Sequence, residues 1–76
     1  MMIWKPHVTV AAIAEKDGKF LIVEEMVDGQ LMYNQPAGHL ESGESLIEAV
    51  IRETYEETAW TFQPEALVGI QLWRHP

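Results

Sequence analysis

The stretch Gly38-His39-Leu40-Glu41-Ser42-Gly43-Glu44-Ser45-Leu46-Ile47-Glu48-Ala49-Val50-Ile51-Arg52-Glu53-Thr54-Tyr55-Glu56-Glu57-Thr58-Ala59-Trp60 decides how this chain is read. Gly38 and Gly43 punctuate a loop, and Ser45 then opens a helix, because Ser45 and Glu48 stand at capping-box spacing. No Gly or Pro follows for the next dozen positions, so the helix is predicted to run to about Thr58. Leu46, Ile47, Val50, Ile51 and Thr54 gather on one side and are expected to pack. Ala49, Arg52, Glu53, Glu56 and Glu57 gather on the other, which is expected to stay free.

Six of the twelve acids fall within positions 41–57, and Arg52 is the one basic residue among them. Glu53, Glu56 and Glu57 point into a single arc of the helix, and Glu53 with Glu57 forms an i,i+4 like-charge pair. A solvated acidic face is the ordinary reading of such a pattern. Its position argues for more. Glu44 and Glu48 lie at the N-terminal end, where the helix dipole favours anions. Glu56 and Glu57 lie in the last turn, where the dipole opposes each by ~0.3–1 kcal/mol. The like-charge pair costs a further ~0.2–0.5 kcal/mol. Helix stability did not select this arrangement, whereas a hard divalent cation, which takes carboxylate and carbonyl oxygens, suits it.

Outward from this segment, residues 7–15 and 19–25 are rich in Val, Ile, Ala and Thr and flank Asp17-Gly18, a hairpin signal that predicts antiparallel pairing of the two runs. Both runs are nearly continuous in apolar residues, which suits a sheet covered on both faces. Asp28-Gly29 marks a second turn, residues 31–35 a short strand ended by Pro36, residues 36–44 a loop, and residues 66–73 a further strand. The chain is 76 residues long with 47% hydrophobic residues, so it holds one domain at most, spanning residues 1–76. A formal net charge of -7 disfavours nucleic acid and anionic membranes as partners. It leaves room for a phosphorylated small molecule when a cation stands between the two sets of charge. The absence of cysteine excludes disulfides and thiol catalysis, and no apolar run reaches the ~20 residues of a membrane span, so a cytoplasmic protein is expected.

Counted from Gly38, the chain reads Gly, five residues, Glu44, seven residues, then Arg52-Glu53-Thr54-Tyr55-Glu56-Glu57, and this closely resembles the Nudix box, the signature of the Nudix hydrolases. Two positions depart from it: Thr54 stands where a bulky aliphatic residue is usual, and Ala59 where Gly is usual. The resemblance implies an α/β fold, a Nudix-type α/β/α sandwich with a mixed sheet and a loop-helix-loop, of which this chain would cover about the N-terminal half. It implies Mg2+, or Mn2+, held against a diphosphate that water attacks. By position, Glu56 and Glu57 would be the principal metal ligands, with the Gly38 backbone carbonyl facing them. Glu53 would ligate metal or take the water proton, Arg52 would orient Glu53 and Glu56, and Glu44 would brace the loop against the helix. Ala59 would cost ~1 kcal/mol if a left-handed turn is kept there.

Residues 5–11, the pair Glu24-Glu25 and residues 34–41 further resemble the branch of the family that hydrolyses thiamine diphosphate and its hydroxymethylpyrimidine diphosphate precursor. A small nucleoside- or thiamine-type diphosphate is the substrate this implies. Tyr33, beside the loop, is the aromatic residue placed to stack on it, while Trp4, Trp60 and Trp73 read as packing residues. His39 reads as a loop histidine that packs or bonds to backbone, and Glu24 and Glu25 as solvated strand-end charges, with contact to substrate as the less favoured alternative. The competing reading is a catalytically silent Nudix-like module that binds a nucleotide or a partner. A calcium module is a remote third reading, because the chain lacks an Asp-x-Asp-x-Asp-Gly loop. Nudix domains are roughly twice this size, so the chain is expected to be incomplete at its C-terminus, or to complete its sheet with a second copy or another polypeptide.

Overall fold

The computed structural model describes residues 3–72. Six short strands precede one helix: β1 (Thr9–Ala11), β2 (Glu15–Lys16), β3 (Lys19–Phe20), β4 (Val23–Val27), β5 (Gln30–Asn34), β6 (Ala37–His39) and α1 (Leu46–Thr58). They pair as β1 with β6, β2 with β3, and β4 with β5, every pair antiparallel among the described residues. Both hairpin turns take positive φ at both central positions, 53° and 75° at Asp17-Gly18 and 51° and 79° at Asp28-Gly29. That is the primed geometry whose twist matches the flanking strands.

The first hairpin is shorter than its apolar arms predict. Only Glu15 with Phe20 and Lys16 with Lys19 pair, and the Leu21 N–H to Ala14 carbonyl bond of 2.9 Å extends the ladder by one rung. Beyond it the arms part. β1 is claimed by the segment that was expected to be loop: the Ala12 N–H donates to the Pro36 carbonyl at 2.8 Å, and the Leu40 N–H to the Val8 carbonyl at 3.1 Å. Between those bonds β6 runs beside β1, with Val10 opposite Gly38. The other arm, as β4, turns to β5, with Val23 opposite Asn34 and Glu25 opposite Met32.

Ser45 caps α1 as its spacing predicts. The Glu48 N–H donates to Ser45 Oγ at 3.1 Å, and the Ser45 N–H donates to Glu48 Oε1 at 2.8 Å. The packed side of the helix follows the amphipathic reading only in part. α1 rests on β6 and β1, and its fully buried residues are Ala49 and Thr54, which with Ala12 and Pro36 make a small core. Leu46 and Ile47 are instead 53% and 60% exposed. The covered side thus takes residues from both expected faces: Thr54 is buried with Val50 and Ile51 half-buried beside it, Ala49 joins them from the side expected to stay free, and Glu56 and Glu57 remain exposed. Thr54 is accommodated because its hydroxyl donates to the Val50 carbonyl at 2.7 Å, and among the described residues no buried side-chain polar atom is left unpaired.

The helix ends at Ala59 in the left-handed region, φ 61° and ψ 12°, with its N–H donating to the Tyr55 carbonyl at 2.8 Å. Alanine tolerates this conformation less well than glycine. Ala59→Gly is therefore expected to stabilise the fold by about 1 kcal/mol in denaturant titrations. An unchanged midpoint would mean that the turn relaxes at no cost. Lys16 Nζ lies 5.7 Å from the Trp60 ring centroid, tying the first hairpin to the helix exit. Residues 60–72 form no strand, because no edge among the described residues pairs with them. Leu67, Val68 and Ile70 are exposed, and Trp73 lies outside the described residues. No helix is long and apolar enough to cross a membrane among the described residues.

Candidate active site

Arg52 gathers the acids that the spacing placed around it. Its Nε and Nη2 donate to the two oxygens of Glu44 at 3.0 and 2.7 Å, a bidentate pairing, and its Nη1 donates to Glu53 at 2.6 Å and to Glu56 at 3.3 Å. A further Nη2 bond reaches the His39 carbonyl at 3.0 Å, so His39 joins the site through its backbone. The side chains of Arg52, Glu44 and Glu53 are only 22%, 15% and 16% exposed, whereas Glu56 is 55% and Glu41 67% exposed. The protected set is thus Arg52 with Glu44 and Glu53, and the remaining partners lie at its rim. A flat guanidinium serves this purpose where a lysine would not, since five fixed donors must meet several acceptors at once.

Glu44 ties this network to the loop. The Glu41 N–H donates to Glu44 Oε1 at 2.9 Å, while the Arg52 hydrogen bonds, followed by that backbone bond, hold the Glu44 carboxyl below its ordinary value of 4.5. A lowered folded value means that the unfolded chain takes up its proton first as the pH falls, so Glu44 contributes stability above pH 4.5 and loses it on further acidification. Glu44→Gln should lower Tm at neutral pH, and the difference should shrink as the pH falls below 4.5 and close once the folded carboxyl is also protonated. A pH-independent difference in thermal melts would mean that the charge of Glu44 does not brace the loop.

Gly38 is required for closeness rather than for an unusual φ. A Cβ placed on it would overlap the carboxyl group of Glu53, so β6 and α1 meet backbone to side chain at this point. Glu57 has a separate environment. Burial pushes its carboxyl above the ordinary range, the negative charges of Glu53, Glu25 and Glu56 push the same way, and the Ala37 backbone N–H opposes them. It faces a cavity of about 320 Å³ whose walls include Val23, Glu25, Asn34, Gln35 and Ala37.

Glu53, Glu56 and Glu57 therefore do not share one spot. Arg52 draws Glu53 and Glu56 to itself, Glu57 turns to the cavity, and among the described residues no three acidic or histidine side chains form a ready cation cage. The donor chemistry nevertheless fits a hard divalent cation. Glu53 and Glu57 offer carboxylate oxygens, the Gly38 backbone lies directly against Glu53, and Glu57 sits in excess negative charge that a cation would relieve. Tyr33 lies on the opposite face of β5 from Asn34 and lines a different, mainly apolar cavity with Ile13 and Phe20. Glu25, Asn34 and Ala37 lie in segments that carried the branch resemblance but were not among the expected site residues. The Asp28-Gly29 register could have put Glu25 and Asn34 on one strand face, but nothing in the spacing says that this face meets Glu57.

A loop braced to a helix by one arginine, with acids on the helix side that faces a strand pair, is the arrangement of a Nudix domain. The chain belongs to the NUDIX family, whose domain description matches residues 4–75. Its sequence is 49% identical over 73 residues to proteins called Phosphatase NudJ from Escherichia coli O157:H7, Escherichia coli strain K12 and Shigella flexneri, a match covering 96% of this chain and 48% of each relative. A solved NUDIX hydrolase from Nitrosomonas europaea superposes with a TM-score of 0.84 at 57% identity, covering 91% of this chain and 47% of that one. The chain thus spans about half the length of the curated relatives it matches, and its fold is the Nudix α/β fold.

Proposed function

We propose that the protein is a divalent-cation-dependent hydrolase that cleaves a diphosphate linkage in a small phosphorylated compound of the nucleoside or thiamine type. The observation that carries this reading is Glu57, a carboxylate turned to a cavity beside the Arg52-anchored acids of a Nudix helix. The name phosphatase borne by the relatives supports the same class of reaction.

In this reading Glu57, with Glu56 at the rim and the Gly38 carbonyl, would hold Mg2+ or Mn2+, and Glu53 would either join them or take the water proton. When bound, such an ion neutralises phosphate oxygens and lowers the pKa of bound water. The chain's own residues do the rest. Arg52 restrains Glu53 through Nη1, so that the carboxylate keeps one orientation while its other oxygen remains free to accept a proton from an attacking water. Glu44 removes much of the orientational freedom of Arg52 by taking two of its donors, and it anchors the loop that carries Gly38 to the helix that carries Glu53. The resulting preorganisation saves the reaction the cost of arranging like charges at the moment of attack.

The test is phosphate release from a panel of diphosphates with and without Mg2+. Release that depends on the added cation supports the reading. Tight binding with no release in any condition would favour a silent binding module.

A further inference from the structure

We propose that Glu25, held in place by Asn34, is a specificity-determining residue that accepts a hydrogen bond from an amino group on the ring attached to the diphosphate, so that amino-bearing rings are preferred to their oxo counterparts. The inference rests on the hydrolase reading above and deepens it by naming the class of group that the Glu57 cavity takes.

The strand register sets the geometry. Val23 lies opposite Asn34 and Glu25 opposite Met32, so Glu25 and Asn34 are diagonal neighbours on one face of the β4–β5 hairpin. Asn34 Nδ2 donates to Glu25 Oε1 at 2.9 Å. An ionised carboxylate only accepts, so the amide must present its NH2 group to it, and the orientation of Asn34 is thereby settled. Its amide oxygen and the second oxygen of Glu25 are left as acceptors. Both residues line the cavity of about 320 Å³ that Glu57 faces from the helix, with Ala11, Val23 and Ala37 supplying apolar surface between them. That volume is near the lower end of the ~300–1,000 Å³ of small-molecule sites, which suits one ring.

The charge of the cavity indicates which part of a substrate goes where. Among the described residues that line it there is no Lys or Arg, and Glu25 adds negative charge opposite Glu57. The Glu25 wall therefore repels a diphosphate and suits a neutral or cationic ring carrying N–H donors. A ring amino group donates to a carboxylate, as an acidic side chain does with the amino group of cytosine, whereas an oxo group would point a lone pair at it. Glu25 is solvent-exposed, so discrimination should be about tenfold, well short of what a fully enclosed polar site achieves.

Cytidine diphosphate and uridine diphosphate differ at this amino or oxo position and serve as probes. The wild-type protein should turn over cytidine diphosphate with a kcat/KM about tenfold higher. Glu25→Ala should bring the ratio close to one, and Glu25→Gln, whose amide can donate to an oxo group, should bring it to one or below. Glu24→Gln, on the opposite face of β4, should leave the ratio as in wild type. An unselective wild type, or a ratio that Glu25→Ala leaves unchanged, would overturn the inference. Calorimetric titration of the two diphosphates separates this inference from the hydrolase reading. Absent turnover with tighter cytidine binding that is lost in Glu25→Ala would sink the hydrolase alone, and equal affinities would sink the ring contact.

Discussion

Replacing Glu57 by Gln is expected to cut kcat by far more than tenfold while leaving the Tm at neutral pH unchanged or slightly higher. The substitution keeps the shape and removes the charge at the helix carboxylate that faces the cavity without an Arg52 bond. The stability sign follows from the raised carboxyl. Burial and the neighbouring acids make ionisation less favourable in the folded chain than in the unfolded one, so the charged form of Glu57 works against folding above its raised value. Gln removes that penalty at neutral pH, and its advantage should disappear as the pH falls below 4.5, where Glu57 is neutral in both states. Steady-state phosphate release and paired thermal melts check both halves. A variant that keeps more than about a tenth of the wild-type kcat, a loss under ~1.4 kcal/mol, would remove Glu57 from the reaction.

Gly38→Ala should be nearly as damaging, through geometry rather than charge. The new methyl group would occupy the position of the Glu53 carboxyl, so either that side chain swings away or β6 withdraws from α1. The Glu53 tip is flexible, but its bond to Arg52 and its low exposure confine it. A displacement of about 1 Å at a reacting group costs on the order of a hundredfold in rate, and overpacking a close contact costs about 1–3 kcal/mol of stability. The expected result is a kcat reduced about a hundredfold, with a stability loss toward the lower end of that range. Adding Glu53→Ala to Gly38→Ala should restore the stability and not the rate, since the second change makes room for the methyl group but deletes the carboxylate. A Gly38→Ala protein with normal turnover would show that Glu53 does not act from its place beside the strand.

The helix and its cap were legible from the chain because their determinants are local. Ser45 and Glu48 satisfy one another's backbone within one turn, and the Asp-Gly pairs set their own φ values. The grouping of Arg52 with Glu44, Glu53 and Glu56 was legible too, from the spacing of the charges and the box it resembles. An arginine on that side of the helix has few other acceptors within reach. Which strand β1 pairs with, which side of α1 is covered, and where Glu57 points were decided by the tertiary structure. Thr9–Ala11 was expected to pair with the run at 19–25, and it joined β6 instead, in a segment read as loop, with the bonds from Ala12 to Pro36 and from Leu40 to Val8 closing that pair at both ends. The helix buried Ala49 with Thr54 and brought Glu53 against Gly38, a close approach that depends on two surfaces meeting and that neither segment displays alone. Glu25 and Asn34 reached the cavity the same way. The hairpin register put them on one face, and only the tertiary placement of that hairpin across the cavity from Glu57 brought the two together.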